Sequence, residues 1–147
     1  AATLPVSMRT ADEILKVRSG TSSFVLPLGA TMNMDGTALF EAVAAVFLAY
    51  LFDVPLGPAG IVLVFLMSMV ASIGAPGMPS GSMAGMQLVL LSVGIPLEAI
   101  AILLVIERPL DTIRTSINVE GDLVGALVVD ELTADHDSTD QAQVDGR

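Results

Sequence analysis

The chain has 147 residues, 53% of them apolar, with a mean hydropathy of +0.76, no Cys, no Trp and a formal charge of −10. Such hydropathy sits far above that of soluble domains and makes a bilayer the natural solvent. The lack of Cys excludes disulfides and thiolate metal sites, His136 is the single His and lies in a polar tail, and nothing is basic or aromatic-interleaved, so zinc, redox and nucleic-acid chemistry are all excluded.

The first residue is Ala1 rather than Met, and the residues after it lack the basic, apolar and cleavage-site order of a signal peptide, which points to a piece of a longer chain. Residues 1–23 are polar and carry Arg9, Lys16 and Arg18. An apolar run then extends over 24–52, interrupted by Asn33-Met34-Asp35-Gly36. A span needs about 20 helical residues, so this run predicts a membrane-crossing helix broken in mid-path. A Pro- and Gly-rich turn, 53–60, comes next.

The apolar blocks Ile61 to Val70 and Met83 to Val93 are each too short to cross, and between them lies a tip rich in Ser, Gly and Pro from Ser72 to Ser82. Residues 53–95 therefore predict a re-entrant helical hairpin. Its tip should face a binding site, because open backbone at membrane depth is tolerated only inside protein or along a wet cavity. Two core helices joined by a surface turn is the alternative.

Residues 96–129 predict a last spanning helix. At about 100° per residue, Asp111, Arg114, Thr115, Asn118 and Asp122 fall within an arc of about 100°, a single polar stripe. An Arg or Asp at mid-span costs roughly 3 kcal/mol on insertion scales, so such residues persist where they face a cavity and bind something. The alternative is a structural ion pair, Asp111 with Arg114 at i, i+3. Beyond it, Asp130, Glu131, Asp135, Asp137, Asp140 and Asp145 oppose Arg147 alone, which puts half of the net charge in a tail, 130–147, whose composition predicts solvated disorder. The basic residues before the first span place its start in the cytoplasm, so the hairpin enters from outside and the tail is cytoplasmic.

A broken helix offers free carbonyls at one broken end and free amides at the other, suited to a desolvated cation and an anionic ligand. Carbonyls, the Asn33 amide and the carboxylates of Asp35 and Asp122 form an oxygen-only set that favours a hard cation such as sodium. Arg114 supplies a planar fork for a carboxylate, and Asp111 one turn earlier suits an ammonium. Two buried carboxylates on separate spans also allow an intramembrane aspartyl protease, although Val119 stands where that enzyme's motif has Gly. A non-transporting membrane subunit is a further possibility.

Thr3-Leu4-Pro5, Leu26-Pro27-Leu28-Gly29-Ala30-Thr31 with Asn33-Met34-Asp35-Gly36-Thr37, the Ser72-Ile73-Gly74 tip with Pro79, and Asp111-x-x-Arg114-Thr115-x-x-Asn118-Val119-x-Gly121-Asp122 together resemble the dicarboxylate/amino acid:cation symporter family, the glutamate transporters. The resemblance covers nearly all of residues 3–129 and implies an all-α membrane protein: the end of a first hairpin (1–23), the broken helix, a gating second hairpin and the last helix of an elevator-type transport domain. It implies no enzymatic activity and no cofactor beyond a coupling ion, sodium or, alternatively, protons. By matching positions, Asp111 would bind the amino group, Arg114 the side-chain carboxylate and Asn118 the α-carboxylate, with Thr37, Thr115, Gly77 and Met78 assisting. Cations would be held by Gly29, Asn33, Asn118 and Asp122, by Asn33 and Asp35, and by carbonyls of Thr31, Ser72, Ile73 and Ala75. The substrate would be aspartate or glutamate, a C4-dicarboxylate being the alternative. Such proteins are multi-pass homotrimers of the plasma or bacterial inner membrane. Glu107-Arg108-Pro109, Ala75, Pro76 and Glu120 depart from the family's usual residues.

Overall fold

The computed structural model describes residues 2–74 and 81–145, and these form helices joined by short turns, with no strand among them. Helix α1 (Leu4–Glu13) begins with Pro5, tolerated in a first turn because its missing N–H would have had no helical partner. Leu4, Met8 and Ala11, followed by Leu15, recur at helical spacing and join an apolar cluster with Val25, Leu26, Leu123 and Ala126. Lys16 reverses the chain in a left-handed conformation (φ 60°).

Helices α2 (Ser19–Met32) and α3 (Asp35–Leu51) are separated by Asn33 and Met34. Across this break, residues 19–51 are long and apolar enough to cross a membrane. Helix α2 begins several residues before the apolar run because Thr21 and Ser22 donate their amides back to the Arg18 carbonyl, at 2.9 and 3.0 Å.

Helices α4 (Pro58–Gly74) and α5 (Gly81–Ser92) have 17 and 12 residues, below the length of a span, and pack on each other and on α3. Small residues on α3 and α4, Ala45, Ala49 and Ala71, meet Met86, Val89 and Leu90 of α5 in the main apolar core. Gly94 takes φ +74° after α5, and the Ile95 amide then closes on the Leu90 carbonyl at 3.0 Å. A side chain at 94 would be strained, which is why glycine ends this helix.

Two expectations differ from the structure. Residues 96–129 are not one helix. A 3-10 turn (Leu97–Ala99) and the short α6 (Ile100–Leu104) end at Val105 and Ile106, and α7 (Glu107–Asp145) starts afresh. Pro109 explains the division, since it has no N–H for the Val105 carbonyl and is tolerated only in the first turn of the new helix. The acidic tail, expected to be disordered, is helical through Asp145. Extending an existing helix avoids the nucleation cost, and no Gly or Pro interrupts 126–145.

That extension is fixed at its root. The Arg18 Nε donates to Asp130 Oδ1 at 2.8 Å, and its Nη2 donates to the Asp130 carbonyl at 2.7 Å and to Thr133 Oγ1 at 2.6 Å, while Thr21 Oγ1 donates to Asp130 Oδ1 at 2.8 Å. The Arg18 hydrogen bond first, then that of Thr21, holds the Asp130 carboxyl below its ordinary value of 3.8. A lowered carboxyl stabilises the fold above the unfolded value, and that contribution is lost as pH falls through the lower folded one. Asp130→Asn, measured by thermal melts of the detergent-solubilised full-length protein, should therefore melt below the parent at neutral pH. The gap should narrow once pH falls below 3.8 and close below the lowered folded value.

Candidate functional site

The break between α2 and α3 leaves the carbonyls of Ala30, Thr31 and Met32 without their i+4 donors. The Gly36 amide, which would have bonded the Met32 carbonyl, donates instead to Asn118 Oδ1 on α7 at 2.8 Å. Asn118 Nδ2 donates in turn to the buried Thr37 hydroxyl at 3.3 Å. One amide side chain thus ties the start of α3 to the middle of α7.

One turn further along α7, Asp122 is buried and its Oδ1 accepts from Asn33 Nδ2 at 3.2 Å. Asp122 Oδ1 also packs directly against Gly29, and a Cβ at Gly121 would lie 2.8 Å from Asn33 Nδ2 and 2.9 Å from Asp35 Oδ2. Both glycines are therefore needed for two helices to approach a polar cluster this closely. The cluster borders an open cleft of about 700 Å³ lined by Gly29, Asn33, Asp35, Gly121 and Asp122. Its donors are oxygens and two of them are carboxylates, a set suited to a hard monovalent or divalent cation.

One turn before Asn118, Arg114 is buried at 4% exposure. Its Nη1 donates to Ser82 Oγ at 2.6 Å, and its Nη2 donates to Asp111 Oδ1 at 2.8 Å and to Glu107 Oε1 at 3.3 Å. Its guanidinium carbon stands 4.3 Å from the centre of the Phe40 ring, a cation–π contact. The i, i+3 ion pair of Asp111 and Arg114 is therefore present. It does not absorb the stripe, because Asn118 and Asp122 bond away from it to α3 and to the break.

Of the residues singled out in sequence, Gly29, Asn33, Asp35 and Asp122 come together at the break, Thr37 and Asn118 beside them, and Asp111 and Arg114 one turn away. Thr31, Ile73 and Thr115 are exposed, the Thr31 hydroxyl bonding the Leu28 carbonyl. Ser72 is buried and its hydroxyl donates to the Met69 carbonyl of its own helix, at 2.9 Å. Ala75, Gly77 and Met78 lie outside the described residues.

Sequence reasoning does not single out three of the residues that matter here. Glu107 enters it only as a departure from the family's usual residues, and Ser82 only as the end of a tip whose value lies in its backbone. Glu41, fully buried on α3, packs its Oε1 against Gly85 and has no hydrogen-bond partner for either oxygen among the described residues. Its signal is a lone acid in the apolar run Ala38–Leu51.

The model of the sodium:dicarboxylate symporter family matches residues 1–132. The chain is 46% identical over 133 residues to excitatory amino acid transporter 3 of Homo sapiens, covering 90% of this chain and 25% of that protein. It is 47% identical to excitatory amino acid transporter 2 of Homo sapiens, covering 90% and 23%, and 47% identical over 129 residues to an excitatory amino acid transporter of Caenorhabditis elegans, covering 88% and 26%. The chain thus spans about a quarter of the length of these relatives. Motif order, a broken α2–α3 pair and a polar stripe facing it agree with the family match over nine-tenths of the sequence, and the chain belongs to the sodium:dicarboxylate symporter family.

Proposed function

We propose that the protein carries out sodium-coupled symport of an acidic amino acid, aspartate or glutamate, and that this chain supplies its substrate- and cation-binding helices. The observation that carries the reading is the position of Asn118. It is bonded to Gly36 and Thr37 at the break, with Arg114 one turn before it and Asp122 one turn after. A cation that orders the break would then order the residue between the two subsites, which is the physical basis of coupling.

In this reading Arg114 holds the side-chain carboxylate and Asp111, more open to solvent, the ammonium. Asn118, Thr37 and Thr115 serve the α-carboxylate side, with backbone groups around Gly77 and Met78. Cations use the oxygens of Gly29, Thr31, Asn33, Asp35, Asn118 and Asp122, and the carbonyls of Ser72, Ile73 and Ala75 beneath the hairpin. The α4–α5 hairpin is the external gate. The assembly is a homotrimer in a plasma or inner membrane, with the C-terminus cytoplasmic. The names of the relatives, excitatory amino acid transporters, support the substrate class.

A C4-dicarboxylate fits less well because Asp111 would face a dianion without an ammonium to neutralise it. Isothermal titration of aspartate, glutamate and succinate into the detergent-solubilised full-length protein, with sodium varied, tests this. Amino-acid binding should tighten with sodium and be lost in Asp111→Ser. Sodium-insensitive binding, or succinate binding as tightly as aspartate, would replace this reading with proton-coupled dicarboxylate transport.

A further inference from the structure

Ser82 stands in the first turn of α5, 94% buried, and accepts a 2.6 Å hydrogen bond from Arg114 Nη1. No other acceptor among the described residues takes that nitrogen, whereas Nη2 is held by two carboxylates from α7 itself, Asp111 and Glu107. The guanidinium is therefore pulled at one corner by its own helix and anchored at another by the hairpin, with Phe40 of α3 beneath its face. A planar fork recognises a carboxylate through two parallel hydrogen bonds only while its plane is fixed.

We propose that Ser82 is a specificity-determining residue: by anchoring Nη1 from the gate hairpin, it holds Arg114 in the orientation that receives the second carboxylate of an acidic substrate. The assignment rests on the substrate reading above and adds to it a side chain from the hairpin. Without the hydroxyl, Nη1 loses this acceptor, and Asp111 and Glu107 draw the guanidinium toward the start of α7. Ligands that need Arg114 are weakened. Ligands lacking a second carboxylate, and cations at the break, are not.

The test compares the full-length protein with Ser82→Ala and with Ser92→Ala. The latter removes a hydroxyl from the far end of the same helix, where it bonds only the Val89 carbonyl. Aspartate and serine affinities are measured at fixed sodium, together with the sodium-dependent rise in melting temperature without amino acid. Ser82→Ala should weaken aspartate about tenfold, the scale of one hydrogen bond to a charged group, with serine affinity and the sodium response unchanged. Ser92→Ala should change none of the three. Unaltered aspartate binding in Ser82→Ala, or equal losses for aspartate, serine and sodium, would overturn the proposal, the second outcome making Ser82 a support of the hairpin alone. A parent that binds sodium but no amino acid would remove the substrate reading and this assignment with it.

Discussion

Arg114→Ala is expected to weaken aspartate binding by the full-length protein roughly 10²- to 10³-fold, while a neutral amino acid of similar size loses little. The guanidinium is almost fully buried and bonds Ser82, Asp111 and Glu107. Removing one partner from a buried charge pair costs about 3–5 kcal/mol, and each 1.4 kcal/mol is a factor of ten in affinity. Part of that cost falls on stability as well, because Asp111 and Glu107 lose a shared cation, so the melting temperature should drop. Arg114→Lys separates charge from shape. It keeps a cation for the two carboxylates but has no fork and no planar face for Phe40, so stability should largely return while aspartate affinity does not. Calorimetric titration with aspartate and serine, beside thermal melts of both variants, reads all of this. Full aspartate affinity in Arg114→Ala would sink the assignment.

The second large effect is expected at Gly121. In mid-helix, Gly→Ala normally stabilises by about 1 kcal/mol. Here the new Cβ would lie 2.8 Å from Asn33 Nδ2 and 2.9 Å from Asp35 Oδ2. Both polar ends would have to move, and the bond of Asn33 to Asp122 would go with them. Overpacking of this kind costs about 1–3 kcal/mol, so sodium affinity, followed through the sodium dependence of aspartate binding, should fall about 10- to 100-fold. Gly125, one turn on, has nothing within 4 Å of its hypothetical Cβ. Gly125→Ala should leave sodium binding intact and gain the ordinary helix stabilisation. Equal sodium affinities in the two variants would show that the cluster at the break is not the cation site.

The interruption at Asn33-Met34-Asp35-Gly36 stands out in the sequence because polar and glycine residues sit inside an apolar run, and α2 and α3 end and begin there. The stripe of Asp111, Arg114, Asn118 and Asp122 is legible for a similar reason, since a single helical period fixes which residues share a face. Periodicity does not say what that face meets. The pairing of Arg114 with Ser82, and of Asn33 with Asp122, depends on helix packing across 32 and 89 residues of sequence. Residues 96–129 read as one helix in sequence although Pro109 falls where a new one starts, because the effect of a proline depends on whether it falls in a first turn or an interior one. Composition misjudges the tail, since it weighs burial and ignores the helix already running into it.

Helix α7 carries Asp111, Arg114, Asn118 and Asp122 and then continues without a break to Asp145. From Asp122 to its end it runs about 35 Å at 1.5 Å per residue, so a tilt of about 10° around the site would swing the far end by about 6 Å. The helix is in this sense a pointer whose tip stands well away from the chemistry. A distance probe placed near that tip would report motion of these four residues without touching them, and cutting the Arg18–Asp130 tie would change how faithfully the pointer follows.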